Sequence, residues 1–303
     1  MKVLVAGATG AIGRRLVPLL VQTGHTVSGI TRRPERAETL TEMGARPLVV
    51  DVFDADALRE VVAGDRPDVV VHQLTDLSAE DFKANSRLRA VGTRNLVEAA
   101  QAAGVQTMVA QSIAWVYRPG PRPAVEEDPL DPSAPPYAGV AALEETVDVM
   151  SRGVVLRYGA FYGPGTWYAP DGAIADRVRA GDLAKTPVWT SFIHVDDAAT
   201  AALEALDWPA GPVNIVDDEP ATAAEWLPVY SAAIGAPEPG IARHAAEIGR
   251  PVSNAKARGL GWKPTYPSWR TGFAEMVRSA DTPAALPHAQ DETANKAQDQ
   301  PQA

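Results

Sequence analysis

The first fourteen residues, Met1 to Arg14, constrain this chain more than any other stretch. Lys2-Val3-Leu4-Val5-Ala6 is an apolar run too short for a helix and rich in strand formers. Gly7-Ala8-Thr9-Gly10-Ala11-Ile12-Gly13 follows at once, and an apolar pattern of helical period begins at Arg14. The order strand, glycine turn, helix converts a weak glycine pattern into a nucleotide-site expectation. Gly7 permits the sharp turn, Gly10 lets backbone approach a pyrophosphate, and Gly13 lets the helix lie close to the sheet. The helix start then offers free N–H groups and the positive end of its dipole to phosphate. Gly7, Thr9, Gly10, Ala11, Ile12 and Gly13 are the expected contacts. The competing reading is a tight strand–helix connection without a ligand.

Further strands are expected at Thr26–Ile30, Pro47–Asp51, Asp68–His72, Thr107–Gln111, Val154–Tyr158 and Pro212–Val216. Their apolar runs are nearly continuous, as in strands covered on both faces. Helical segments at 14–23, 35–43, 55–63, 81–103 and 141–150 fall between them. The fold class is therefore α/β, a doubly wound parallel sheet of about seven strands. The alternation stops after residue 165. The stretch 280–303, poor in large apolar residues, reads as a disordered tail.

The end of the second strand discriminates between dinucleotides. A ribose-binding acid is expected about 20 residues after the glycines, yet Ser28-Gly29-Ile30-Thr31-Arg32-Arg33 contains none. Arg32 and Arg33 suit a 2′-phosphate, so NADP is expected in preference to NAD. Asp51 either accepts from the adenine amino group or caps the following helix. The net charge of −10 argues against nucleic acid and anionic membranes as partners. Without cysteine, disulfides and thiolate metal sites are excluded. No apolar stretch approaches the roughly 18 residues of a membrane span, and a cytoplasmic location is the default expectation.

Arg118 to Pro136 holds seven prolines and the acids Glu126, Glu127, Asp128 and Asp131, and reads as a lid or a long surface connection. The acids read as solvated rather than as a catalytic pair. His194-x-Asp196-Asp197 is read as a helix start capped by an aspartate, with no metal. Trp115, Trp167 and Tyr168 form either an aromatic wall for substrate or part of the core.

Several motifs in order resemble the extended short-chain dehydrogenase/reductases, the NAD(P)-dependent epimerase/dehydratase group. They are Gly7-x-x-Gly10-x-x-Gly13, Gly92-Thr93-x-Asn95-Leu96, Leu156-Arg157-Tyr158-Gly159-Ala160-Phe161-Tyr162-Gly163-Pro164-Gly165, His194-Val195-Asp196-Asp197-Ala198 and Leu260-Gly261-Trp262-x-Pro264. The resemblance runs to about Phe273. It implies a Rossmann domain over 1–165 and about 191–216, with a smaller C-terminal substrate-binding lobe over 166–190 and about 217–279. It also implies a small-molecule carbonyl, alcohol or sugar-like substrate and a possible homodimer through the two long helices. Tyr137 would be the acid/base and Ser112 the donor that polarises the substrate oxygen. His72, Tyr158 and Phe161 would lie along the cofactor, and Arg89, His194 and Trp167 on the substrate side. For His72 and His194 a purely structural role is the alternative.

The chain departs from the family pattern at its chemistry. Ala141, not lysine, stands four residues after Tyr137, and Ile113 stands where the family serine would be. A phenol near its ordinary pKa of about 10 is a poor base near neutrality. A substitute cation would be Arg89 or Lys185. The resemblance therefore leaves two expectations, an NAD(P)-dependent oxidoreductase or epimerase, and a non-catalytic NADP-binding regulator.

Overall fold

The computed structural model describes residues 1–75, 82–242 and 249–281. Strands β1 (Lys2–Ala6), β2 (Thr26–Thr31), β3 (Arg46–Val49), β4 (Val69–His72), β5 (Thr107–Ile113) and β6 (Arg152–Tyr158) belong to one sheet. Two short strands, β7 (Ala160–Tyr162) and β9 (Phe192–His194), pair in parallel beside it. β8 (Trp189–Thr190) pairs with β11 (Ala221–Thr222), and β10 (Gly211–Ile215) closes the main sheet. The main sheet has seven strands in the order β10-β6-β5-β4-β1-β2-β3, all parallel. The order reverses between β1 and β4, and open sheets of this kind bind ligands at the carboxyl ends of strands flanking such a reversal.

Helices α1 (Gly13–Gln22), α2 (Ala37–Glu42), α3 (Ala55–Asp65), α4 (Phe82–Arg87), α5 (Thr93–Ala102) and α6 (Tyr137–Asp148) form the crossovers. The long helix expected over 81–103 is interrupted by a π turn, Leu88–Gly92, and Asp81 lies outside the described residues. The sixth helix begins four residues earlier than its apolar pattern suggests, because Tyr137 already occupies its first turn. The remaining helices are α7 (Ala173–Arg179), α8 (Val195–Glu204), α9 (Ala223–Ala233), α10 (Ala255–Gly259) and α11 (Trp269–Asp281). The expected disordered tail falls almost wholly outside the described residues.

Strand alternation divides the core in two. Val3 and Val5 of β1 face Leu16, Val17 and Leu20 of α1, Leu40 of α2 and the alanines of α8. Leu4 and Ala6 face the other layer, with Leu58 and Val62 of α3, Leu96 and Val97 of α5, and Leu143 and Val147 of α6. A third core gathers Tyr162, Phe192, Trp226, Tyr230, Trp269 and Phe273 beneath α7, α9 and α11. Ala257 and Trp262 pack in the first layer. The stretch 217–279 thus serves both the lobe and the sheet.

The glycine turn is sterically specified. Gly7 adopts φ +87°, and a Cβ there would lie 2.6 Å from the Gln73 carbonyl oxygen. At Gly13 a Cβ would lie 2.2 Å from the Gly7 carbonyl oxygen. Neither position accepts a side chain without moving β1, β4 or α1.

Candidate active site

A cavity of about 580 Å³ opens over the carboxyl ends of β1, β4, β5 and β6. Gly10, Ala11 and Ile12 form one side of it. No side chain caps α1, so its first turn faces the cavity end with backbone donors. Arg15 ties this turn to its surroundings. It donates to the carbonyls of Ala11 and Pro164 (2.8 Å each) and pairs with Asp196. The open cradle and the uncapped helix start fit a dinucleotide pyrophosphate.

At the far end of the dinucleotide cradle, Arg32 and Arg33 are exposed just beyond β2. A third arginine joins them. Arg36 donates to Thr9 Oγ1 (3.0 Å) and Arg14 to the Thr9 carbonyl (3.2 Å). Neither has a motif role in the sequence, although both are visible there as basic residues flanking the turn. Asp51 accepts from the Phe53 N–H (2.9 Å) and stays exposed, while Asp54 caps α3. The capping alternative for Asp51 is therefore corrected: the helix starts three residues later.

Aromatic and polar side chains complete the cavity. Trp115, Tyr117, Phe161, Trp167, Tyr168 and Trp189 line it, with Gln73, Gln111 and Ile113 deeper in and Arg89 and Arg250 as cations. Phe161 and Trp167 are thus in the wall. Trp115 (53% exposed) and Trp167 (36%) stand at the solvent side. Tyr168 serves both wall and core, since it also packs on Phe192 and Trp226.

Other expected site residues lie elsewhere. Ser112 does not face the cavity: on β5 the odd positions Gln111 and Ile113 do, so Ser112 points to the opposite layer. Its hydroxyl donates to Glu144 (2.7 Å). The same Glu144 receives both Nε (3.0 Å) and Nη2 (2.6 Å) of buried Arg157. Burial opposes the Arg157 charge, but the bonds to Glu144 hold its guanidinium above the usual range. Tyr117 accepts from Arg157 (2.7 Å) and donates to Asn214 (2.7 Å), and burial pushes its phenol up to about 12. It is a fixed wall element rather than an acid.

Tyr137 is half-buried at the start of α6 and is not among the wall residues. His72 is wholly buried beneath the wall. Its Nδ1 accepts from the Leu74 N–H (3.2 Å), which leaves Nε2 to donate to Thr93 Oγ1 (2.8 Å). Burial, then the charge of Arg89, lowers it to about 4. This bond gives Thr93 of the Gly92-Thr93 motif a partner and holds His72 as a neutral support under the β4 end, the structural alternative for that residue.

Tyr158 is likewise buried in the core. Its hydroxyl donates to the Ala198 carbonyl (3.2 Å), and burial raises its pKa. His194 caps α8 through Nδ1 (Asp196 N–H, 3.2 Å), stacks on Tyr266 at 3.8 Å and is not among the residues lining the cavity. Burial lowers its pKa to about 4. The expected aspartate cap is replaced by this histidine, and Asp197 instead accepts the Thr265 and Tyr266 N–H groups. Lys185 pairs with Glu238 (3.0 Å) and is not among the residues lining the cavity. Among the described residues no cluster of potential metal ligands occurs.

Comparisons with known proteins agree with this geometry. The family model for NAD dependent epimerases/dehydratases matches residues 3–216. The chain is 45% identical to a 3-diazoavenalumate denitrifying reductase of Streptomyces sp., over 90% of this chain and 99% of that one. It is 29% identical to a UDP-glucose 4-epimerase of Mycolicibacterium smegmatis, over 91% of this chain and 97% of that one. Among solved structures, the UDP-glucose 4-epimerase of Thermus thermophilus in complex with NAD superposes with a TM-score of 0.74. The identity there is 27%, covering 92% of this chain and 98% of that one. No helix among the described residues is long and apolar enough to cross a membrane.

Proposed function

The chain belongs to the NAD-dependent epimerase/dehydratase family, and from that membership we propose an NADPH-dependent reductase that removes a diazo group from a planar aromatic substrate as dinitrogen. The observation that carries this reading is a cavity rich in aromatic side chains whose wall lacks the family's proton-transfer groups. Ile113 stands at the serine position, Ala141 at the lysine position, and Ser112 is bonded to Glu144. The similarity to a reductase described as denitrifying a diazo compound points the same way.

When bound, the reduced dinucleotide supplies a hydride, which turns an arenediazonium into an aryldiazene that sheds N2 and keeps the hydrogen on the ring, with no proton required. The residues then have simple tasks. Trp115, Phe161, Trp167 and Trp189 offer flat faces for the ring and exclude water from it. The turn at Gly10–Ile12 holds the pyrophosphate, and Arg32, Arg33 and Arg36 favour a 2′-phosphate.

A second reading keeps Tyr137 as acid/base for a carbonyl or sugar-like substrate. It is favoured by the half-buried phenol at the first turn of α6, with no hydrogen bond among the described residues. The test is NADPH oxidation and gas release over matched panels of arenediazonium carboxylates, ketones and UDP-sugars. The proposal expects one N2 per NADPH with the diazonium panel, and Tyr137→Phe within about twofold of wild type. Turnover confined to the other panels, falling on the order of 100-fold in Tyr137→Phe, establishes the second reading instead. NADPH binding with no turnover on any panel leaves the non-catalytic regulator.

A further inference from the structure

Arg89 has no role in either the cradle or the aromatic wall, yet it is 3% exposed and lines the cavity. It projects from the π turn Leu88–Gly92, the kind of helix irregularity that recurs at functional sites. No hydrogen bond or ion pair reaches its guanidinium among the described residues. Its neighbours neutralise it only in part. Glu144 lies near enough to act through space, but both its oxygens are held by Arg157 and Ser112. His72 is neutral near pH 7. Burial lowers the Arg89 pKa to about 10, which leaves it charged at neutral pH.

Arg250, the other cation of the wall, differs: it pairs with Asp128 (2.7 Å) and donates to the Arg122 carbonyl (2.7 Å). Gln73, which lines the same cavity, is 4% exposed, and its amide makes no close hydrogen bond among the described residues. The Tyr158 hydroxyl lies next to it, where the Gln73 side chain opposes the effect of burial on the phenol, and it donates to the Ala198 carbonyl (3.2 Å). A buried guanidinium with no counter-ion among the described residues and a buried amide thus line the same cavity. A buried uncompensated guanidinium is costly in a folded protein, and a ligand anion entering from the cavity would offset that cost.

We infer that Arg89 is the anchor for an oxyanion on the aromatic substrate, and that the substrate class is therefore a planar aromatic acid or phenolate rather than a neutral ring or a nucleotide sugar. Gln73 donates or accepts beside it. The inference rests on the diazo-reductase reading for its chemical consequence. In a ring whose ionised oxygen is conjugated with the diazo group, the neutral diazo-quinone form takes the hydride at its terminal nitrogen. One electron pair moves onto the ring oxygen. N2 then departs, the C–N bond electrons stay on the ring carbon, and the nitrogen-bound hydrogen moves to that carbon as a proton. The products are the phenolate, N2 and the oxidised dinucleotide, and the charge that develops on oxygen meets Arg89 instead of a proton donor. With a carboxylate the same guanidinium positions the ring without taking part in the charge shift.

The test uses the full chain loaded with NADP⁺ and unreactive probes, so that it does not depend on turnover. Binding of cinnamate against cinnamamide, and of 4-nitrophenolate against nitrobenzene, is measured by calorimetry for wild type, Arg89→Met and Arg89→Lys. Wild type is expected to prefer at least one anion over its neutral partner by about 10- to 100-fold, the range of charge-assisted hydrogen bonds. The pair that shows it identifies carboxylate or phenolate as the group bound. Arg89→Met abolishes the preference and Arg89→Lys keeps part of it. The ligand-free Arg89→Met protein melts at or above the wild-type temperature, which shows that it is folded and relieved of an unpaired buried charge. Equal binding of anion and neutral probe by wild type, or an unchanged preference in folded Arg89→Met, overturns the anchor. If N2 release continues in that case, the diazo reading stands alone. If the anchor holds and no diazonium is reduced, that reading falls while the anion site remains.

Discussion

At the residue scale, the same side-chain chemistry takes different roles according to what surrounds it. Four arginines near the cavity illustrate this. Arg157 is neutralised by Glu144, Arg250 by Asp128, and Arg15 by Asp196, whereas Arg89 has no counter-ion among the described residues. The two buried histidines are supports, and their protonation opposes folding. His72 has a pKa of about 4 in the folded chain, below its ordinary 6.5. The unfolded chain therefore binds a proton between those values that the folded chain refuses. The stabilisation is complete above pH 6.5 and is lost as the pH falls toward 4. It amounts to at most about 3 kcal/mol. His72→Asn is expected to flatten this acid limb in denaturant titrations run at successive pH values. An unchanged limb would place the effect elsewhere.

At the scale of elements, the β1–α1 turn and the β2–α2 connection work as one unit. Arg36 and Arg14 converge on Thr9, which brings the start of α2 to the glycine turn. The exposed pair Arg32 and Arg33 then lies where β2 ends. Replacing both by alanine is expected to weaken NADPH binding by on the order of 10- to 100-fold while NADH binding changes little. The two dissociation constants decide this directly: a preserved ratio would reject the 2′-phosphate assignment. Elements also reassign residues by register. On β5 a single step separates Ile113 in the cavity wall from Ser112 in the opposite layer.

At the scale of the molecule, Asp197 of α8 ties the C-terminal stretch to the sheet, and Asp217 ties that stretch to itself. Both Asp197 oxygens accept backbone N–H groups, from Thr265 (2.7 Å) and Tyr266 (2.8 Å). Asp217 accepts from Glu219 (3.1 Å) and Trp269 (2.9 Å). The aromatic core around Phe192 lies directly beyond them. Asp197→Ala is expected to cost about 2–4 kcal/mol and to lower the denaturation midpoint of the whole chain in one transition. Separate transitions for lobe and sheet would show that other contacts dominate their coupling.

The parallel α/β architecture and the glycine turn were legible along the chain. Both depend on local order: apolar runs of strand length, helical periodicity, and glycines at positions where a Cβ would strike neighbouring backbone. Ala141 and Ile113 were equally plain as departures from a pattern. Which polar groups share a space followed from the packed fold alone. Ser112, His72, Tyr158 and His194 occupy motif positions, yet each is bonded into the scaffold. Gln73 and Arg89, with no motif role as donors, line the cavity, and Arg89 has no counter-ion among the described residues. Whether a polar side chain is satisfied depends on neighbours brought from distant parts of the chain, such as Thr93 for His72 and Ala198 for Tyr158. Spacing along the sequence does not encode that pairing.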